Sequence, residues 1–286
     1  MDTLIQILIV IFIFVVIKEL HRWEYPEHFA ICGQKKLNRI EIWENVLRKY
    51  GERQALNIFP KTFIFPRDLM KLKNDKNNQF ILKKKWSLMR IGVDLYDNKQ
   101  DILRDYRKYD LAQVYIKNPL LINGFKFDIR IFFVTYCGIG NYLYSKAYNV
   151  YTKKKFDYNT LDREKKINQV HTQDIHYTIN KLPRTTDQLG KYLNINFRDI
   201  MIVIRNKLRI IINACNNLCC LHDHNDYNIY GIDATLLNNL EPLIIEINSS
   251  PSLHFTENWK KKLLSNLKSD VKEKKFLTNK TDWIKI

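Results

Sequence analysis

The stretch NIYGIDATLLNNLEPLIIEINSSPSL, residues 228–253, decides the fold. It reads as two apolar strands, NIYGIDATLL at 228–237 and EPLIIEIN at 241–248, joined by a turn near Asn238 and Asn239. Side chains alternate along a strand, so Glu246 and Asn248 share a face. With the turn centred between Asn239 and Leu240, Asp233 falls opposite Glu246. Asp233, Glu246 and Asn248 then form an oxygen-rich cluster on an otherwise apolar hairpin. Hard oxygen donors of this kind suit Mg²⁺ that also holds substrate phosphates. A bland hairpin rarely places two acids and an amide on one inward face, because burying them unpaired is costly; the competing reading is that this face is solvent-exposed and merely polar.

Working outward, GFKFDIR at 124–130 alternates Lys126, Asp128 and Arg130 with Phe127 and Ile129. One face is apolar; the other carries plus, minus, plus. Two cations flanking an acid suit a polyphosphate with its metal. A solvated strand face with cross-strand ion pairs is the alternative. Further strands are expected at FILKKKW (80–86), AQVYIKNPLLI (112–122) and FKFDIRIFFVTYC (125–137). Helical spacing appears in NRIEIWENVLRKYG (38–51), with Gly51 as a cap, and over 194–222, where Ile200, Ile204, Leu208, Ile211 and Cys215 fall on one side. FPKTFIFPRD (59–68) reads as extended, and KNDKNNQ (73–79) as a polar loop and domain boundary.

The 286 residues carry 47 Lys and Arg against 30 Asp and Glu, a net charge of +17, which points to anionic partners. The 36 Ile and 28 Asn accompany Lys as A/T-rich-codon residues, so mutational drift without function is the competing reading of that charge. Hydrophobic residues at 45% exclude general disorder, and five cysteines without a regular framework fit a reducing compartment. Cys215, Cys219, Cys220, His222 and His224 match no structural zinc spacing and read as core cysteines. His171 and His176 read as structural. The run at 4–17 is apolar except for Gln6; extended to residues 1–20, it is expected to anchor a membrane. Lys18, Arg22, Lys35 and Lys36 then place the rest in the cytoplasm. The C-terminal segment from Asn258 carries nine Lys against three acids. It reads as a basic amphipathic helix with Trp259, Leu263, Leu264 and Leu267 on one side, either packed on the domain or facing acidic protein or lipid. No nucleic-acid-binding motif appears.

AQVYIKNPLLINGFKFDIRIFFVTYC, HYTINK (176–181) and YGIDATLLNNLEPLIIEINSSPSL resemble, in that order, the motifs of the tubulin–tyrosine ligase-like family of ATP-grasp amino-acid ligases. The resemblance implies an α+β ATP-grasp fold: a reduced N-terminal subdomain at 21–75 and a catalytic region at 76–286, behind the anchor helix. It implies ATP and Mg²⁺ as cofactors. A free amino acid (Tyr, Glu or Gly) and an acidic protein acceptor such as tubulin are the implied partners. It assigns Lys83 to the α/β-phosphates and Gly92 to the loop KKWSLMRIGV (84–93) over the phosphates. Gln113, Tyr115 and Ile116 fall to the adenine edge, Lys126, Asp128 and Arg130 to the γ-phosphate and catalysis, and Asp233, Glu246 and Asn248 to Mg²⁺. Two departures bear on the acceptor. Ile175 and His176 replace a threonine–asparagine pair, with Thr172 as a stand-in, and Val150 replaces an arginine whose charge Lys146 or Lys153 to Lys155 would supply. The rival reading is a non-catalytic, membrane-tethered module that binds nucleotide or an acidic protein.

Overall fold

The computed structural model describes residues 39–84, 92–136, 139–167, 181–215, 227–249, 251–253, 257–278 and 282–286. The elements run α1 (Arg39–Ile58), β1 (Thr62–Ile64), α2 (Leu69–Lys73), β2 (Phe80–Lys83), β3 (Val93–Tyr96), α3 (Lys99–Asp105), β4 (Leu111–Val114), β5 (Leu121–Ile122), β6 (Phe125–Tyr136), β7 (Gly140–Tyr144) and β8 (Tyr148–Tyr151). They continue with α4 (Arg163–Lys166), α5 (Thr186–Leu193), α6 (Phe197–Ala214), β9 (Tyr227–Leu236), β10 (Pro242–Asn248), α7 (Asn258–Lys272) and β11 (Trp283–Lys285).

Two sheets organise the chain. A four-stranded sheet has the order β1-β4-β2-β3, and a seven-stranded sheet has the path β10-β9-β6-β7-β11, with β5 and β8 also paired to β6. The smaller sheet draws β1 from before residue 75 and its other strands from after it. β6 is long enough to hold β8 along its first half and β7 along its second, while β9 lines its other side.

The two faces of β6 meet different neighbours. Phe127, Ile129, Ile131 and Phe133 are buried with α1 and α6, through Trp43, Val46, Ile204 and Leu208. On the opposite face Phe132, Val134 and Tyr136 pack under α7, through Leu263, Leu264, Leu267 and Val271. The first half of that face bears Lys126, Asp128 and Arg130. The smaller sheet is two-faced as well: Phe80, Leu82 and Ala112 form its own core with Leu72 and Ile102, and Lys83 and Gln113 alternate with them. Asn196 caps α6 by accepting from the Arg198 amide, and the α1 segment is broken at Gly51, whose φ of 79° lies in the left-handed region. Buried Lys207 of α6 ties the helix layer to the hairpin, donating to Pro242 O at 2.6 Å and Glu241 at 2.5 Å.

A strap from Thr152 to Ile167 bridges the sheets. The amides of Thr152 and Phe156 donate to Lys126 O and Gly124 O, at 2.9 and 2.8 Å. Farther on, Arg163 pairs with Asp94 of β3 at 2.9 Å, and the Lys166 amine donates to Gln79 Oε1 at 2.6 Å.

The membrane reading requires correction. Among the described residues, no helix is long and apolar enough to cross a membrane. The long helices α1 and α6 are each interrupted by charges, because only one face of each is buried. Residues 1–20 lie outside the described residues, and a membrane-held protein is not carried forward. The apolar face of α7 is spent on the sheet, so the C-terminal helix follows the packed reading, with one amendment. Lys260 is buried and paired with Glu257 at 2.7 Å.

Candidate active site

The hairpin expected at 228–248 forms, with a shift in its ladder. From Pro242↔Leu236 to Ile244↔Ala234 the pairing centres on Asn239, which would set Ile245 opposite Asp233. A bulge at Ile245 moves the register by one residue, so Glu246 pairs with Asp233 and Asn248 with Gly231. Without it, Glu246 would share the face of Ile244, which is buried.

Arg130 in turn pairs with Asp233 across β6 and β9. The side chains meet in a bidentate bridge, Nε to Oδ1 at 2.6 Å and Nη2 to Oδ2 at 2.9 Å. Burial lowers the proton affinity of Arg130, and the charge and hydrogen bonds of Asp233 more than offset this, so its pKa ends above the usual range. Two residues along β6, Lys126 donates to Asp128 Oδ1 at 3.1 Å. The Thr235 hydroxyl donates to the same oxygen. Lys126, Asp128, Arg130, Asp233 and Glu246 thus lie on one face across three adjacent strands, with half-buried Asn248 at its far edge.

The smaller sheet supplies the other wall. Lys83 is 4% exposed and donates to Gln113 Oε1 at 2.8 Å. Gln113 donates onward to Thr62 Oγ1 at 3.2 Å. Burial, aided by the positive charge of Arg39, brings the Lys83 amine down to about 8, while Glu246 and Asp128 act to raise it. The charges of Arg39, Glu246, Asp128 and Lys126 all act on Lys83 and tie it electrically to the polar face. Tyr115 is buried where the chain leaves β4, stacks on Phe156 and donates to Lys166 O at 2.7 Å. Burial pushes its phenol up. Ile116 beside it is half-buried. Gly92, at φ 75°, closes β2 onto β3: a Cβ there would fall 2.9 Å from the Lys84 side chain. Residues 85–91 of the expected phosphate loop lie outside the described residues, as do Thr172, Ile175, His176 and His171.

Val150 lies opposite Asp128 on β8, so the departure from the family pattern falls beside the polar face. The lysines expected to replace its charge are engaged elsewhere. Lys146 pairs with Asp282 at 2.5 Å, Lys153 with Glu164 at 2.5 Å and Lys154 with Glu164 at 2.7 Å, and the Lys155 stem lies against Gly124. Tyr148, opposite Arg130, has its phenol pushed up to about 12 by burial. Three side chains at the site were not anticipated. Thr235 carried a readable signal, two positions from Asp233 on one strand. Tyr148 stood inside an unrecognised strand, and Arg39, whose Nη2 donates to Glu246 Oε1 at 2.9 Å, carried none. Cys215 is buried and its Sγ accepts from Asn45 Nδ2 at 3.8 Å; the other members of the Cys/His group lie outside the described residues.

The chain is 26% identical to a tubulin monoglutamylase of Mus musculus over 275 residues, 82% of this chain and 23% of that protein. It is 25% identical to a tubulin polyglutamylase of Homo sapiens over 282 residues, 86% of this chain and 21% of that one. A probable alpha-tubulin polyglutamylase of Tetrahymena thermophila is 26% identical over 214 residues, 67% of this chain and 49% of the relative. The chain therefore spans about a fifth to a half of the length of these relatives. The family model described as the tubulin-tyrosine ligase family matches residues 17–282, and the chain belongs to that family.

Proposed function

We propose that this protein is an ATP- and Mg²⁺-dependent ligase of ATP-grasp architecture that joins an amino acid to a carboxylate of an acidic protein acceptor, of the kind found in tubulin tails. The observation that carries the proposal is the single polar face of Lys126, Asp128, Arg130, Asp233 and Glu246 across β6, β9 and β10, linked electrically to Lys83 on the other sheet. Family membership and the glutamylase relatives support the reaction class.

In the reaction an acceptor carboxylate oxygen attacks the γ-phosphorus of ATP, the bond to the β-phosphate oxygen breaks, and an acyl phosphate and ADP result. The amine of the incoming amino acid then attacks the acyl carbon, releasing phosphate and a proton. Positioning and charge stabilisation are the main contributions of the protein. Lys83 meets the α/β-phosphates, and Lys126 and Arg130 offset charge on the transferred group. Asp128, held by Thr235, fixes Lys126. Gln113, Tyr115 and Ile116 border the base, and Gly92 allows the turn beneath the phosphates. The donor set fits Mg²⁺: two carboxylates in register and one amide, all oxygen, each carboxylate keeping lone pairs beyond its arginine bond. Asp233, Glu246 and Asn248 would hold the ion, which neutralises phosphate oxygens when bound.

The test is ADP release from Mg-ATP with an acidic peptide and, in turn, Glu, Tyr and Gly. Release with one amino acid, lost in Glu246→Gln while the variant stays folded, is the expected result. No release with any combination favours the rival, a nucleotide- or acidic-protein-binding module. Unchanged turnover in Glu246→Gln refutes the metal assignment.

A further inference from the structure

Arg39 is the first residue of α1, yet it reaches Glu246, 207 positions away in the chain, at 2.9 Å. Its side chain is 14% exposed. With Thr62, Gln113 and Glu246 it lines a small cavity of about 20 Å³ between the sheets. After burial, the charge of Arg39 is the largest influence lowering the Lys83 amine. Two cations from different elements therefore act on each other, Arg39 at the mostly apolar cavity and Lys83 beside Gln113, which lines it. Their repulsion is relieved by an anion bound between them. Meanwhile β8 offers the polar face no guanidinium, because Val150 stands opposite Asp128 and the nearby lysines Lys146, Lys153 and Lys154 hold acids elsewhere.

We propose that Arg39 is a ligand of the nucleotide polyphosphate, held on Glu246 until the nucleotide arrives. The proposal rests on the nucleotide-binding reading above. A guanidinium matches phosphate oxygens with a rigid fork, and a polyphosphate carries more charge than one carboxylate. Exchange of Glu246 for phosphate also frees that carboxylate. Arg39 and a divalent cation thus compete for Glu246 in the absence of nucleotide, and both serve the phosphates in its presence. α1 becomes part of the nucleotide site, although it lies outside every motif that carries the family resemblance.

This competition gives opposite signs in one variant. In the full chain, Mn²⁺ alone is titrated by electron paramagnetic resonance, and a non-hydrolysable ATP analogue with Mg²⁺ by calorimetry. Arg39→Ala is expected to bind Mn²⁺ more tightly than the wild type and the analogue about 10- to 100-fold more weakly, the range of one or two charge-assisted hydrogen bonds. Arg39→Lys, retaining charge without the fork, falls between. Arg39→Gln replaces the alanine variant if that one unfolds. Wild-type analogue affinity in a folded Arg39→Ala or Arg39→Gln protein overturns the proposal and leaves the nucleotide site standing. Absence of analogue binding to the wild type overturns both readings together.

Discussion

Lys83 sits between the two sheets with an amine whose pKa burial brings down to about 8. From pH 7 to pH 9 the nucleotide-free protein therefore passes from mostly ammonium to mostly neutral amine at this position. If the ammonium is the form that meets phosphate, nucleotide affinity falls about tenfold by pH 9, and Lys83→Arg, charged throughout, removes that fall. Calorimetric titration of an ATP analogue at pH 7, 8 and 9 measures it; a flat wild-type profile removes Lys83 from the phosphate site. Stability runs the other way. The native chain gives up this proton at about 8 and the unfolded chain near 10.5, so the unfolded state holds more protons in that window and stability rises with pH across it. The side chains of the polar face were legible in the sequence, because a period of two sets Lys126, Asp128 and Arg130 on one side wherever the strand lies. Arg39 was not legible, because no local pattern marks a residue that meets its partner only through the tertiary fold.

At the level of elements, the hairpin shows how a correct pairing can have an unread cause. Asp233 faces Glu246 as the sequence implied, but through the bulge at Ile245 and not through the turn position. β9 also depends on Gly231. A Cβ there would fall 2.8 Å from the Pro251 ring and 3.5 Å from the Arg130 stem. Gly231→Ala is expected to destabilise the protein by about 1–3 kcal/mol, the range for overpacking a close contact, measured by urea unfolding. A cost below about 0.5 kcal/mol would place it with ordinary surface substitutions and show that Pro251 yields freely. The long elements were readable because α6 and β6 repeat their periods over many residues. The short strands β3, β7 and β8 were missed. Their alternation is brief, and β8, YNVY, is buried at all four positions, which leaves no polar face to set the period.

Across the whole molecule, the +17 charge resolves into assigned and unassigned parts. Lys126 and Arg130 lie on the polar face with Arg39 and Lys83 beside it, Lys207 ties α6 to the hairpin, and Lys260 is buried in its pair with Glu257. Lys261, Lys262, Lys268 and Lys272 remain exposed on the outer side of α7. The expectation of a membrane anchor finds no support among the described residues, where no helix is long and apolar enough to cross a membrane, and the run that prompted it lies outside them. The strap from Thr152 to Ile167 has a mechanical meaning. It is bonded to Gly124 and Lys126 on the larger sheet and to Gln79 and Asp94 on the smaller, so any change in the angle between the sheets must strain it. It is the chain's own strain gauge. Amide hydrogen exchange at Thr152 and Phe156 should slow when an ATP analogue draws the walls together, and exchange unchanged at saturating analogue would mean that the walls stand ready-set before the nucleotide enters.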